Sequence, residues 1–402
     1  MTEPALYDLS PLARLMLMGV LIAIGPLLWV GLRQRGQSPA ARLRALVWVT
    51  LFLTFDLIVF GAFTRLTDSG LGCPDWPGCY GSASPLGARE SIRAAEAALP
   101  GGPVTVAKAW IEMIHRYLAT AVGVLILTMT LVSWFSWRQK QRHGTPTASS
   151  AVRLVHPVWA TAALVWVCVQ GAFGALTVTM KLFPAIVTLH LLGGIGLLCL
   201  LTVLAARLRV DHLSQAGASV SAPVAEPRVV RFVLGVALIL VGCQVALGGW
   251  VSTNYAVLAC TEFPRCQGVW WPAMRFAEGF EVWRELGHTG EGVPIAFAAL
   301  TAIHMVHRLV AVLVAVALLA VVAVLRRYPW RRTQASIVLA LLALQWATGL
   351  SNVVLGWPLL AAVLHTGGAA ALMAVLTWSL ATAPSGAAVT APHVRSRTVC
   401  PS

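Results

Sequence analysis

Charged side chains are scarce in this sequence. Asp, Glu, Lys and Arg make up 11% of its 402 residues, whereas a typical soluble domain contains about 25%. Hydrophobic residues account for 58% of the chain, and the mean hydropathy is +0.78. This composition excludes a soluble globular protein, and repeated runs of about 20 apolar residues predict a polytopic membrane protein.

Acidic residues are scarcer than basic ones, 15 against 29, and the formal net charge is +14. In a soluble protein this surplus would suggest nucleic-acid binding. Here the Lys and Arg residues concentrate in alternate loops, together with only two acids, Asp211 and Glu226. Because basic loops stay on the cytoplasmic side of a membrane, the surplus predicts an outside N-terminus and a cytoplasmic C-terminus. It does not indicate a nucleic-acid partner.

A cleavable signal peptide is not indicated either. The first apolar run is flanked by Glu3 and Asp8 with only Arg14 as a basic residue, and its core is too long for a typical signal. We therefore count it as a membrane span. The nine predicted spans are about 12–32, 45–64, 110–135, 156–180, 184–206, 231–252, 294–325, 335–356 and 359–381.

The spans divide into two blocks of four. Residues 45–206 form the first block and residues 231–381 the second. Residues 1–44 add an extra span and a basic cytoplasmic loop. Residues 207–230 are polar and rich in small residues, which predicts a flexible cytoplasmic linker, and residues 382–402 form a cytoplasmic tail.

The two blocks are repeats of one another. Gly61 through Cys79 aligns with Gly248 through Cys266 without a gap. Further matches are His115-Arg116 with His307-Arg308, and Gln170, Gly174 and His190 with Gln345, Gly349 and His365. A repeat of four spans keeps its orientation, so the halves should be related by an axis along the membrane normal. The predicted fold is all-α: two pseudo-symmetric four-helix bundles plus an extra N-terminal transmembrane helix.

Four histidines fall inside spans, where ionisable groups are costly and usually functional. They form two matching pairs, His115 with His190 and His307 with His365. Neutral imidazole is a good axial ligand of haem iron, and two helices of one bundle can hold a planar macrocycle between them. The alternative is that these histidines are structural.

Zinc or copper is a weaker interpretation, because such a site needs more than two ligands close together. Residues three apart share a helix face, so His304 could add a third ligand beside His307. The first half has Glu112 at that position, beside His115, so the halves would not match.

Cysteines recur at one spacing in the two long outer loops. Cys73 and Cys79, and likewise Cys260 and Cys266, are separated by five residues. The outer compartment permits disulfides, so one bond per loop is the simple prediction. A redox-active first pair is the sharper hypothesis. The cysteines within spans are interpreted as small packing residues, namely Cys168, Cys199 and Cys243.

Three further charged residues have open roles. Arg116 and Arg308 directly follow candidate ligand histidines and could bind haem propionates. Alternatively, each could snorkel to the membrane interface or pair with a loop acid. Asp56 lies inside a span and could pair with a neighbouring helix or take part in proton movement.

The sequence resembles the haem A synthase family over about residues 45–381. The residues that carry the resemblance are Thr64-Arg65-Leu66-Thr67-Asp68-Ser69-Gly70-Leu71, Glu112-x-x-His115-Arg116, His190, His307-Arg308 and His365. The extra first span departs from the family's eight-span pattern.

The resemblance implies a reaction. Family members oxidise a ring methyl of haem O to a formyl group, giving haem A for haem-copper terminal oxidases. The first half would hold the substrate haem between His115 and His190, and the second half a haem b ligated by His307 and His365. Glu112 would lie near the reacting methyl, where a carboxylate can take protons or stabilise positive charge.

The resemblance also implies the setting. The protein would span the bacterial cytoplasmic (inner) membrane. Its haem sites would lie toward the outer face, because all four paired histidines are in the outward-facing part of their predicted spans. Its partners would be haem O, the membrane farnesyltransferase that makes it, an unidentified electron acceptor and lipid, and homo-oligomers are compatible with this. The first cysteine pair is linked in the family to redox chemistry or haem delivery. The alternative functions are a di-haem b-type electron carrier, such as a quinol-linked cytochrome, and a haem transporter.

Overall fold

The computed structural model describes residues 10–142, 156–215 and 227–382. These residues form eleven α-helices. They are α1 (Ser10–Arg33), α2 (Pro39–Leu66), α3 (Arg89–Ala98), α4 (Val106–Arg142), α5 (Val158–Thr179), α6 (Pro184–Gln215), α7 (Arg228–Thr253), α8 (Phe276–Gly279), α9 (Phe297–Arg326), α10 (Arg332–Val354) and α11 (Leu359–Ala381). Two short 3₁₀ turns, Ala256–Ala259 and Pro329–Arg331, complete the list.

Nine of the described helices are long and apolar enough to cross a membrane, which confirms the predicted number. Prolines stand at several helix starts, where the missing N–H has no intrahelical acceptor to lose. Pro39 opens α2 after Ser38, whose side chain accepts a hydrogen bond from the Ala41 N–H. Pro184 opens α6, and Pro358 precedes α11.

Each half is a closed ring of four helices. In the first half α2 contacts α4, α4 contacts α5, α5 contacts α6, and α6 returns to α2. In the second half α7, α9, α10 and α11 repeat this order. The predicted pair of four-helix bundles is therefore confirmed.

The junction between the halves has two-fold character. It is built from contacts of α2 with α11, of α6 with α7, and of α6 with α11. Exchanging the halves converts the first contact into the second and leaves the third unchanged. A pseudo-two-fold axis through the α6–α11 contact requires this pattern.

The extra helix α1 packs mainly along α4. Gly19 allows the closest approach, because a Cβ at this residue would lie 3.0 Å from the backbone carbonyl carbon of Thr120. Nearer its start, Leu15 is buried in a cluster with Cys73 and Cys79. The helix therefore covers the first bundle beside its disulfide.

Both disulfides lie at one end of the bundles, which we call the disulfide end. The connection from α2 to α4 and the connection from α7 to α9 each carry one, at Cys73–Cys79 and Cys260–Cys266. At the opposite end, helix occupies both edges of the predicted 207–230 linker, because α6 continues to Gln215 and α7 begins at Arg228. Residues 216–226 and the tail from residue 383, with Cys400, lie outside the described residues.

Candidate functional site

The four span histidines lie on four different helices: His115 on α4, His190 on α6, His307 on α9 and His365 on α11. Within each ring the two histidine-bearing helices are diagonal, since α4 contacts α5 and α2 while α6 completes the ring on the far side. Helices α4 and α6 do not contact each other directly, and neither do α9 and α11. The two histidines of each predicted pair are therefore carried by opposite helices of one bundle.

A glycine on a neighbouring helix packs against every one of these imidazoles. The four glycines occupy matching positions in the two repeats. The pairs, with the distance from a Cβ built on the glycine to the nearest ring atom, are Gly61–His115 (3.0 Å), Gly174–His190 (3.3 Å), Gly248–His307 (3.1 Å) and Gly349–His365 (3.2 Å). Any larger side chain would displace the ring, so the backbone of the neighbouring helix sets each imidazole's position.

Amide side chains orient three of the histidines. Gln170 Nε2 lies 3.0 Å from Nδ1 of His190 and hydrogen-bonds to the carbonyl of the same residue. Gln345 Nε2 donates to the His365 carbonyl at 3.0 Å, and Thr348 Oγ1 lies 3.0 Å from Nδ1 of that ring. Such partners fix ring orientation and tune a metal-binding imidazole.

The two halves differ at the remaining histidine of each pair. In the second half, Gln244 Nε2 lies 3.0 Å from Nδ1 of His307 and 3.1 Å from its carbonyl oxygen. In the first half the equivalent of Gln244 is Leu57. There Phe60 lies nearly parallel to the His115 ring, with 6.3 Å between ring centroids. His115 therefore has an apolar neighbour where His307 has a polar one.

Glu112 is buried one turn before His115 and is held at both oxygens. Its Oε1 accepts a hydrogen bond from Arg116 Nη2 at 2.5 Å, and its Oε2 accepts one from the Cys73 N–H at 2.7 Å. Arg116 Nη1 donates in turn to the carbonyls of Gly78 at 2.6 Å and Asp75 at 3.0 Å. Helix α4 and the first disulfide loop are thus joined through one carboxylate and one guanidinium.

The second half repeats this junction with one exchange. His304 stands where the first half has Glu112, and its Nε2 accepts a hydrogen bond from Arg308 Nε at 3.2 Å. Arg308 donates to the carbonyls of Cys260 at 3.0 Å and Arg265 at 3.2 Å. Both arginines therefore bind loop carbonyls, where the sequence had suggested haem propionates or a loop acid.

The cysteines are bonded as the simple prediction required. Cys73–Cys79 and Cys260–Cys266 are each disulfide-linked, with 4.9 Å between Cα atoms. All four residues are buried, the least so being 1% exposed. The redox hypothesis for the first pair stays a prediction.

Two interpretations of span residues were wrong. Of the three described free cysteines, Cys168 and Cys243 are exposed, and Cys199 is partly buried. A small, weakly polar side chain is tolerated against lipid, so burial is not required of it. Asp56, the repeat equivalent of Cys243, is likewise exposed.

The donor set fits haem and does not fit zinc or copper. Within the described ranges no group of three or more His, Cys, Asp or Glu side chains could hold a metal ion. Two imidazoles on opposite helices of an apolar bundle could hold a haem iron between them. The sequence did not predict Gln244 and Thr348 as site residues, because neither has a polar counterpart in the first repeat. The equivalent of Gln244 is Leu57, and the equivalent of Thr348 is Phe173.

Known proteins match the same part of the chain. A family model described as "COX15-CtaA: Cytochrome oxidase assembly protein" matches residues 44–377. A "Heme A synthase" of Shewanella oneidensis is 38% identical over 333 residues, covering 82% of this chain and 93% of the relative. A "Heme A synthase" of Rhizorhabdus wittichii is 27% identical over 362 residues, covering 86% and 96%. The region matched by the family model contains both histidine pairs, Glu112 and both disulfides, and it begins after α1.

Proposed function

Since the chain belongs to the COX15-CtaA family of cytochrome oxidase assembly proteins, we propose that its two halves have different roles in the reaction. The activity is haem A synthesis by a multi-pass membrane enzyme, so its substrate is a haem. In our proposal the first half binds haem O and oxidises a ring methyl to a formyl group. The second half holds a resident haem b.

The observation that carries this division is the exchange of Glu112 for His304 at repeat-equivalent positions. Both residues are buried, and both contact the arginine one turn later. An imidazole can also accept a proton, but only the carboxylate carries negative charge that could stabilise a positively charged reacting carbon. The half with Glu112 is therefore assigned the chemistry, and the half with His304 is assigned the cofactor.

In the first half, His115 and His190 would hold the substrate haem from its two faces. Arg116 and the Cys73 N–H fix the Glu112 carboxylate, so that it does not have to be reoriented at each turnover. Glu112 would accept a proton released as the methyl carbon is oxidised, or stabilise positive charge that develops there. Phe60 and Leu57 keep the His115 side of the site apolar.

In the second half, His307 and His365 would be the axial ligands of haem b. When bound, that haem supplies one-electron redox chemistry. Gln244, Gln345 and Thr348 orient the two imidazoles, and Gly248 and Gly349 leave room for them. The extra polar contact at His307 suits a permanently held cofactor.

The basic loops support an orientation with the disulfide end outside. The short connection at 327–331 and the first basic loop lie at the opposite end, as expected for a cytoplasmic face. Buried disulfides also fit an oxidising compartment. We infer the bacterial inner membrane, a haem O-producing membrane farnesyltransferase as supplier, and an electron acceptor of unidentified kind.

Haem extraction from the purified protein, followed by chromatography, tests this proposal. We expect haem b together with haem O, haem A or a hydroxylated intermediate when the host supplies haem O. Haem b alone under those conditions would contradict the synthase division and favour a di-haem electron carrier. Absence of haem would contradict the ligand assignment of all four histidines.

A further inference from the structure

A cation at the end of α2 reaches across the junction between the two halves. Arg65 Nη2 donates to the carbonyl oxygen of Ser252 at 2.7 Å, and Nη1 donates to Tyr255 Oη at 2.9 Å. The guanidinium carbon also lies 4.2 Å from the centroid of the Tyr255 ring. Both acceptors belong to the second half, so one side chain joins the ends of α2 and α7.

Asp68 closes this set of contacts. Tyr255 Oη donates to Asp68 Oδ1 at 2.5 Å, and Arg65 Nη1 approaches the same oxygen at 3.2 Å. Burial raises the pKa of the Tyr255 phenol above its usual value near 10, so the hydroxyl keeps its proton and remains a donor to the carboxylate. We call Arg65, Asp68, Tyr255 and the Ser252 carbonyl the junction clasp.

The junction clasp is built at repeat-equivalent positions. Arg65 aligns with Ser252, and Asp68 aligns with Tyr255. Asp68 and Tyr255 both have left-handed backbone, with φ of 51° and 53°. This conformation costs a side-chain-bearing residue about 1 kcal/mol, and it occurs at the same place after each helix. The pseudo-symmetry thus brings the two turns together, and their different residues make them complementary in charge.

The junction clasp lies close to both histidine sites along the chain. Gly61, which packs against His115, is one turn before Arg65 on α2. Gly248, which packs against His307, is one turn before Ser252 on α7. Four residues of helix span about 6 Å. The clasp therefore ties together the two helix segments that each position one imidazole, one in each half.

We propose that the junction clasp sets the spacing of the two haem sites and thereby the rate at which an electron passes between them. One electron would leave the iron of the first-half haem and arrive at the iron of the second-half haem b, with no bond made or broken in the clasp. Arg65, Asp68 and Tyr255 are positioning residues. The spacing is a property of the fold, whereas its effect on electron passage rests on the proposed division of the halves.

Two native cysteines give a direct measurement of the spacing. Cys168 on α5 and Cys243 on α7 are both exposed and lie in different halves. Gadolinium spin labels on these two, with Cys199 and Cys400 replaced by serine, report the distance between halves by pulsed electron paramagnetic resonance. We expect one narrow distance distribution in the otherwise native protein. Tyr255→Phe and Arg65→Gln should broaden it or add a second population, and Tyr80→Phe in the first loop is the matched control.

Turnover separates positioning from general destabilisation. Tyr255→Phe should keep haem b content and KM for haem O while kcat falls severalfold. The kcat of the double variant Tyr255→Phe with Asp68→Asn should equal that of the less active single variant. The two losses should not add, because both residues belong to one hydrogen-bond network.

Unchanged distance distributions in both Tyr255→Phe and Arg65→Gln would overturn the proposal and leave the haem assignment intact. If the distance between the halves changes and kcat does not, the proposed link between the junction clasp and electron passage would be overturned. A native protein without haem b would contradict the division of the halves, while the distance measurement would still test the clasp.

Discussion

At the scale of single residues, the histidine sites depend on neighbours that lack side chains. Gly61, Gly174, Gly248 and Gly349 each face an imidazole at a distance where a Cβ would be in tight contact. A histidine within a membrane span can adopt several rotamers. A glycine on the neighbouring helix leaves room for the rotamer that is observed, because it has no Cβ to collide with the ring. Each of the four proposed ligand histidines is therefore matched by one glycine on a neighbouring helix.

Replacing one of these glycines should empty one site. Gly248→Leu would force the side chain into the His307 ring, and overpacking of this kind costs about 1–3 kcal/mol. We expect loss of haem b from the purified protein, measured from the reduced absorption spectrum after solubilisation. Gly235→Leu on the same helix α7 is the control, since a Cβ there meets nothing within 4 Å. Equal haem b content in the two variants would contradict the packing argument.

The Glu112 carboxylate is the residue on which the chemistry depends in our proposal. Glu112→Gln keeps the size and one of the two acceptor oxygens, and it removes the negative charge and the basicity. We expect haem to stay bound while haem A formation falls by about 100-fold or more, the usual range for loss of a general base. Haem A yield per bound haem, measured by chromatography, checks this. Native yield would remove Glu112 from the mechanism.

Sequence reasoning located these residues through the repeat and missed those without a repeat partner. The histidine pairs and Glu112 were found because ionisable residues recur at matched positions. Gln244 was missed because its counterpart is Leu57. The contacts of Arg116 and Arg308 were missed for another reason: their acceptors are backbone carbonyls, which every loop contains and no residue type signals.

At the scale of helices, the apolar runs predicted the number and order of the membrane-spanning helices but not their full lengths. Helix α4 was expected over about 110–135 and extends over Val106–Arg142. Hydropathy detects the part of a helix that lipid surrounds, while hydrogen bonds continue into polar ends such as Arg138–Arg142. The short α3 and α8 gave no apolar run and were not predicted. Their places depend on tertiary contacts.

The extra helix α1 should protect the first disulfide. Gly19→Leu would push α1 away from Thr120, and Leu15 would withdraw from Cys73 and Cys79. We expect the Cys73–Cys79 bond to become reducible under mild thiol treatment, detected by alkylation and mass spectrometry.

Two controls accompany this α1 experiment. Gly31→Leu changes the same helix where a Cβ meets nothing within 4 Å, and it should leave the first disulfide protected. The Cys260–Cys266 bond, which α1 does not cover, reports any general unfolding. If the first disulfide of Gly19→Leu resists reduction as it does in the native protein, α1 is not its cover.

At the scale of the whole molecule, two closed rings of four helices are joined through three helix pairs. One core cluster combines α1 with first-half helices, and another combines second-half helices with part of α6. The order of spans and the internal repeat made this pairing predictable. Which helices form the junction between the halves was not predictable. Helices α2, α6, α7 and α11 are all apolar, and any of them could have faced lipid.

Separate rings imply that the two haem sites load independently. A ring that keeps its own helix contacts loses little when the other ring loses a ligand, because distant sites act additively to within about 0.5 kcal/mol. His365→Ala should therefore lose haem b and still bind substrate haem, and His190→Ala should keep haem b and lose substrate haem. Chromatography of extracted haems from the two variants, produced with a haem O supply, measures both contents. Loss of both haems in each variant would show that the halves fold as one unit, and the α6–α11 contact would then be the element that couples them.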